Sequence, residues 1–337
     1  MNNNTTTQPY HLAGLFSLSI RLVIGWTYFS AFWRRLILEN KLIPDEAGYI
    51  GEKFNHFLPN ALGIKPIIEY LVTHPDALQT SMMTFTIIEA VVGLCLILGV
   101  FTRLMSIGVF GLALGILLGS GWIGTTCLDE WQIGILGIAG GFTLFLTGSS
   151  FYSVDEFFLK KNLKFTHKKW FQWLGSGNLP MNNAKAFVLA GSIVIFGLTL
   201  FTNQYFHGGV WGKLHNKSVK PKIEISNISL KNKDLKFQIY RTEGVDVYGS
   251  FLIGVHILDE NGKILKALNH SELSHFQKEN IFNHYVAKVK PGKHSLIIPL
   301  GSKADLTVHI DDISDQKKIH TLKLIDISGI EWTAEIE

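Results

Sequence analysis

Cys127 stands in the stretch Gly121-Trp122-Ile123-Gly124-Thr125-Thr126-Cys127-Leu128-Asp129-Glu130-Trp131, just ahead of an apolar run. A cysteine in front of a helix can have its thiolate stabilised by the helix-terminal N–H groups, and nearby guanidinium charge lowers its pKa further. The plain alternative is an inert buried thiol, the common fate of a lone cysteine. Arg34 and Arg35 close an earlier apolar run. Guanidinium forks bind oxyanions well, although long basic side chains at the end of a membrane helix also snorkel to lipid headgroups. Asp129 and Glu130, beside the cysteine, are candidate proton carriers. Arg21 and Glu89 lie inside apolar runs. Counted from opposite ends of their helices they reach similar depth, so they could pair, either as a structural ion pair or as part of a proton relay or a quinone ring contact. Trp26, Tyr28, Phe29, Phe32 and Trp33 crowd the end of the first run, and Trp122 and Trp131 flank the cysteine. They read either as an interfacial aromatic belt or as the wall of a pocket for a flat, apolar ligand.

Several chemistries are not encoded. Cys95 and Cys127 are the only cysteines, which rules out a disulfide framework, a c-type haem site and an iron–sulfur cysteine set. Cys95 sits among Leu and Val and reads as packing. Glycine fingerprints for a dinucleotide and a Walker loop are missing, and no metal or flavin site is expected. A net charge of +4 over 337 residues carries no nucleic-acid stripe. Any redox partner should therefore be diffusible and lipid-soluble.

Long apolar runs must position these residues. A span of the bilayer core needs about 20 mostly apolar residues. Five stretches qualify, at roughly 12–36, 81–101, 104–121, 130–148 and 186–205. No basic residue precedes Arg21, so the first run is expected to be kept as an anchor and not cleaved as a signal peptide. Gly108, Gly111, Gly115 and Gly119 in the third span, and Gly134, Gly137, Gly140 and Gly141 in the fourth, recur at spacings that let backbones approach. Tight packing alone is the plain reading of these glycines; a homo-oligomer is a separate possibility that the sequence leaves open.

Orientation follows from basic residues in short loops. Lys160, Lys161, Lys164, Lys168 and Lys169 follow the fourth span, Arg103 lies between the second and third, and the cysteine stretch has no Lys or Arg. The best arrangement puts the N-terminus, Arg103 and the lysine-rich loop on the cytoplasmic side of an inner, multi-pass membrane. The 37–80 loop, the cysteine loop and the C-terminus then lie outside. Arg34 and Arg35 fall on the outer side, against the usual bias, and a bound anion is one compensation. Within the 37–80 loop, Pro59 to Val72 reads as a short interfacial amphipathic helix. The stretch FQWLGSGNLP in the loop after the fourth span suits the membrane surface.

From about residue 213 the period changes to short alternating runs, among them KIEISNISL, DLKFQIY, VYGSFLIGVHILD, HSLIIPL and ADLTVHI. Asn261-Gly262 and Pro291-Gly292 are strong turn signals between such runs. The expected architecture is an α-helical membrane bundle (1–184, with a fifth transmembrane helix at 185–206) followed by an extracytoplasmic antiparallel β-sandwich (207–337). His207 to Gly212 would be the hinge.

These motifs carry a resemblance. Arg21-Leu-Val-Ile-Gly25-Trp26, Phe32-Trp33-Arg34-Arg35 and the cysteine loop resemble DoxD, a subunit of thiosulfate:quinone oxidoreductases. Glu89, Gly93, Gly99 and Thr102-Arg103 follow a pattern shared with the wider DoxX-like membrane family. Gly208-Gly-Val-Trp211-Gly212 through Tyr240-Arg241-Thr-Glu243-Gly244 to Tyr248-Gly249 resembles DoxA, the partner subunit, so the chain looks like a fusion of both. The resemblance implies oxidation of thiosulfate to tetrathionate, with electrons passed to a diffusible membrane quinone and no haem, cluster, flavin or metal. On that reading Arg34 and Arg35 bind thiosulfate, with Trp122, Arg241 and His207 nearby. Cys127 forms an adduct with the sulfane sulfur. Asp129 and Glu130 handle protons, while Arg21, Trp26, Trp33, Glu89, Arg103 and Trp131 serve the quinone and its protons. Two other readings stay open: a non-catalytic DoxX-like accessory or assembly subunit, and a sulfur-oxyanion transporter, which broken helices or inverted repeats would favour.

Overall fold

The computed structural model describes residues 9–44, 46, 48–124, 129–245, 250–313 and 315–336. The chain divides into two compact units. One comprises residues 1–49, 79–121 and 129–215; the other comprises 50–78, 122–128 and 216–337.

The first unit is helical. Helix α1 (Pro9–Phe16) and α2 (Leu18–Phe32) meet at Ser17 in a 50° bend, and α2 runs on into a π-helical turn, Trp33–Leu38. Among the described residues three further helices are long and apolar enough to cross a membrane: α5 (Pro75–Leu98), α6 (Thr102–Ser120) and α10 (Ala184–His207). The bent α1–α2 pair makes a fourth if it is one span. The remaining expected span is the 19-residue α7 (Asp129–Thr147), which packs along α6. Its first turn carries Asp129, Glu130 and Gln132, and this polar opening lowers its apolarity relative to the others. The chain is thus a membrane protein with a helical N-terminal region.

Close packing in this unit is led by one glycine pair. A Cβ on Gly93 of α5 would lie 2.6 Å from Gly25 O of α2, and one on Gly25 would lie 3.0 Å from Gly93 O, so only glycine lets the two backbones cross here. The glycines expected to line α6 divide. Gly108 meets Val92, whereas among the described residues Gly111 and Gly115 have no atom within 4 Å of a would-be Cβ. Spacing put all of these on a packing face, but only part of that face meets a neighbouring helix.

The α5–α6 turn passes through Gly99 and Phe101, both left-handed. Asp155 then acts as a remote cap for α6. It accepts from Phe101 N at 2.8 Å and Thr102 N at 3.0 Å, and Ser176 Oγ adds a third donor at 2.6 Å. A buried carboxylate meeting the orphan N–H groups of a helix start satisfies both parties. Short helices α8 (Val154–Lys160) and α9 (Lys169–Leu174) complete this end, with Ser153 capping α8.

The second unit joins strands to three helical pieces from the 50–78 stretch: α3 (Gly51–Phe57), a 3₁₀ turn at Leu58–Asn60, and α4 (Lys65–Thr73). Strand formation begins where the period turns to 2. The strands are β1 (Lys222–Lys231), β2 (Asp234–Glu243), β3 (Ser250–Leu258), β4 (Ile264–Leu268), β5 (Ile281–Asn283), β6 (Lys290–Pro291), β7 (Leu296–Ile298), β8 (Lys303–His309), β9 (Thr321–Asp326) and β10 (Glu331–Glu335). A capped one-turn helix, α11 (His270–Ser274), follows β4. One antiparallel sheet has the order β1-β2-β8-β5 and the other β10-β9-β3-β7-β6, with β4 also on β3.

Alternate residues face a shared core. Leu235, Phe237, Ile239, Ala304, Leu306 and Val308 come from the first sheet. Leu252, Val255, Ile257, Leu296, Leu322 and Leu324 come from the second, as in a β-sandwich. The β1–β2 hairpin closes on Asn232 and Lys233, both at positive φ as a two-residue hairpin turn demands, and Asn261-Gly262 turns β3 into β4 as its sequence signals.

Candidate functional site

The π-helical turn sets the geometry of the arginine pair. A wider turn redirects side chains relative to an α-helix, and such turns recur at functional sites. Arg35 points inward from it. Its Nη1 donates to Glu89 Oε2 at 2.6 Å and to Thr86 Oγ1 at 3.1 Å, both on α5, and the guanidinium lies over the Phe85 ring at 6.0 Å. Glu89 is buried and Arg35 keeps a minor exposed fraction, 4% against 18% of the side chain. Arg34 points outward. It is exposed, its Nε donates to Ser30 O at 3.2 Å, and it still acts electrostatically on Glu89. Tyr28, six residues before Arg34 and on α2, is buried and also within electrostatic reach of Glu89.

This arrangement corrects the expected Arg21–Glu89 pair. Glu89 is taken by Arg35, and Arg21 lies elsewhere, buried, with Nη2 donating to Tyr152 O at 2.8 Å. Depth counts misled because α5 begins at Pro75, not near 81, and because depth says nothing of which way a side chain faces around its helix. Thr86 and Tyr28 are site residues that sequence reasoning did not assign to the ion pair. Thr86 carried a signal, since it stands one helical turn before Glu89 on the same face of α5.

Aromatic rings extend from the arginine turn. Phe29 stacks on Trp33 with centroids 6.0 Å apart and neighbours both Phe32 and Trp26. Trp26 and Trp33 are themselves exposed, so they present flat faces to whatever surrounds the helix. The result is a cation next to a buried acid, flanked by an open aromatic ladder. An anion could sit at the exposed Arg34, and a planar apolar molecule could lie on the ladder.

Other expected site residues have different surroundings. Arg103 is a structural clamp: Nε, Nη1 and Nη2 donate to Phe145 O, Gln172 O and Gly177 O at 2.9, 2.5 and 2.7 Å. Trp131 Nε1 ties α7 to α10 through Thr202 Oγ1 at 2.9 Å. His207 Nε2 donates to Gly121 O at 2.9 Å. Glu130 is half-buried in the first turn of α7. Cys127 lies outside the described residues, as does the side chain of Asp129.

In the second unit, Trp122 is buried with Nε1 donating to Phe57 O at 3.2 Å. Arg241 is also buried, and its guanidinium donates to Ile298 O at 3.0 Å, Val245 O at 2.7 Å and Glu243 O at 3.3 Å. That geometry makes it a staple of the loop after β2. Burial raises the hydroxyl pKa of Tyr240 and Tyr285, and Glu69, which accepts from Tyr285 Oη at 2.8 Å, raises the latter further. Among the described residues no cluster of three His, Cys, Asp or Glu could hold a metal ion.

Against known families, residues 16–182 match one described as "TQO small subunit DoxD", and residues 206–335 match one described as "TQO small subunit DoxA".

Proposed function

The chain belongs to these DoxD and DoxA families in tandem, a fused pair of thiosulfate:quinone oxidoreductase subunits, and from that premise we propose that it oxidises thiosulfate to tetrathionate and reduces membrane quinone. The observation that carries the reading is the presence of both parts on one chain, since each family is described as one small subunit of the same oxidoreductase.

The chemistry of the residues supports it. Thiosulfate is a dianion, and Arg34, exposed beside the Arg35–Glu89 pair, supplies a cation at the end of the first span. Arg35, already neutralised by Glu89, is a positioning residue in this scheme: it fixes the turn that presents Arg34. Cys127 is the nucleophile. Its thiolate forms an S–S bond to the sulfane sulfur of one thiosulfate, and the two electrons released reduce quinone to quinol with two protons. The products of this step are a cysteine–thiosulfate adduct and quinol. A second thiosulfate then attacks the adduct, the bond to Cys127 breaks, and tetrathionate leaves with the thiolate restored. Asp129 and Glu130 are placed by sequence to handle the protons. The exposed rings of Trp26 and Trp33 fit the flat headgroup of a quinone arriving from the bilayer. The orientation that suits this scheme puts Arg34, the cysteine loop and the β domain outside, where a sulfur oxyanion arrives without crossing the membrane.

Peptide mass analysis of Cys127 tests the covalent step. Protein incubated with thiosulfate and quinone should carry a thiosulfate adduct on Cys127, and protein given thiosulfate alone should not. Turnover by Cys127→Ser at the wild-type rate would remove the adduct from the mechanism.

A further inference from the structure

The stretch from Ile50 to Leu78 precedes α5 in sequence and falls inside the DoxD match, yet it folds as one unit with the strands of the DoxA match. Its contacts are specific. Asn55 is fully buried at the end of α3 and uses both ends of its amide: Nδ2 donates to Gly301 O at 3.1 Å, and Oδ1 accepts from Ala287 N at 3.1 Å. Gly301 is held at φ +72°, and a side chain there would collide with the Asn55 backbone, so the two parts touch main chain to main chain. Asn60 Nδ2 donates to Thr242 O at 3.0 Å, and its Oδ1 accepts from Lys217 Nζ at 2.9 Å. Glu69 accepts from Tyr285 Oη at 2.8 Å. Between these polar anchors lies an apolar patch of Leu58, Ala61, Ile68 and Val72 against Tyr285, with Tyr240 and Val286 at its edge. A second piece of the DoxD match joins in: Gly124 N and O are both bonded by Ser218 Oγ, and Asn216 Nδ2 also donates to Gly124 O at 2.7 Å.

Apolar burial ringed by satisfied polar groups is the anatomy of an interface between partners. The covalent connection between the two parts has the opposite character. Gly209 to His215 are all exposed, and Gly212 is at positive φ with, among the described residues, no atom within 4 Å of a would-be Cβ. We propose that 50–78 is a docking platform that holds the DoxA part to the DoxD part without the covalent link, so that the linker after α10 is dispensable for assembly. This holds whatever the chain oxidises, because it rests on the packing of the second unit alone. It also assigns the partner of this platform in any relative that carries the two parts as separate chains: the β1–β2, β5–β6 and β7–β8 regions of a DoxA subunit.

The test cuts the linker in the full-length protein. A protease site placed between Gly212 and Lys213, with an affinity tag at the N-terminus, lets the cleaved protein be washed on resin in detergent. The β fragment should stay bound after cleavage. In a variant carrying Asn55→Leu and Glu69→Gln, release should rise at least about tenfold, the change that a loss of about 1.4 kcal/mol produces. Uncut variant, checked by gel filtration, shows that it still folds; if it does not, Tyr285→Phe removes one anchor by deleting a single oxygen and should raise release in the same direction. Release of the wild-type β fragment on cutting overturns the proposal. So does equal retention by wild type and by the folded anchor variants, since the fragment would then be held by something other than 50–78.

Discussion

Removing either partner of the Arg35–Glu89 pair should destabilise the helical unit, and removing both should cost less than the sum of the two losses. The ion pair is short, at 2.6 Å, and one-sided in burial, with 4% of the Glu89 side chain and 18% of Arg35 exposed. Charge centres about 4 Å apart attract with about 4 kcal/mol at an effective dielectric near 20, before desolvation is counted. Loss of one partner of a buried pair strands the other, at a cost of about 3–5 kcal/mol. Glu89→Ala strands an arginine that can still swing its long stem toward the surface and that keeps Thr86 Oγ1 as an acceptor. Arg35→Ala takes the donor from Thr86 Oγ1 and strands a carboxylate that has no such route; protonation relieves it instead. Both singles should therefore lower stability, each by up to about 3–5 kcal/mol, less whatever that relief recovers. The double variant Arg35→Ala/Glu89→Ala should recover more than half of the summed loss, because neither charge is then left alone. The assay is denaturant or thermal unfolding of the four proteins in one detergent, read as a double-mutant cycle. Strictly additive losses would mean that the two side chains do not act as a pair, and the account of how the turn presents Arg34 would fail with them.

Other perturbations have equally definite outcomes. Asp155→Ala leaves Phe101 N and Thr102 N without their acceptor at the start of α6. It should lower the unfolding midpoint by the equivalent of about 2–4 kcal/mol, and Asp155→Asn by less. Gly93→Ala forces a Cβ into the Gly25 carbonyl and should weaken expression or folding of the helical unit, whereas Gly115→Ala, with open space around it, should change thermal stability little. Arg241→Lys keeps the charge but not the fork that reaches three carbonyls, and should destabilise the β domain by about 2–4 kcal/mol. Asp312 is held below its ordinary value of 3.8 first by the hydrogen bond from Lys266. A depressed acid stabilises the fold above its unfolded pKa and loses that effect as pH falls through the folded value, so Asp312→Asn should flatten the acid limb of a pH–stability curve.

Element type and rough position were legible along most of the chain, because hydrophobic period survives in single sequences. Apolar runs at 104–121 and 130–148 became α6 at Thr102–Ser120 and α7 at Asp129–Thr147. The amphipathic reading at Pro59 to Val72 found α4, although the first residues of that stretch form a 3₁₀ turn instead. Helix starts were less legible. The polar opening of α5 at Pro75-Asp76 is not apolar enough to be read as part of a span, and that shift is what misplaced Glu89. Which arginine meets Glu89 depends on rotation about two helices and on a π-turn, neither of which leaves a mark in the hydropathy pattern. The joining of 50–78 to the β unit was hidden for a related reason. Asn55, Asn60 and Glu69 are ordinary polar residues of the 37–80 stretch until residues of the β unit more than 150 positions later supply their partners.

Thiosulfate-dependent reduction of a soluble quinone by the purified full-length protein, compared across wild type, Cys127→Ala and Arg34→Ala, tests the central claim most directly. Turnover by wild type, its loss in Cys127→Ala and a raised KM for thiosulfate in Arg34→Ala are the predicted results. No turnover by well-folded wild type with a decyl-quinone acceptor present would contradict the enzymatic account and leave the chain as an accessory membrane subunit.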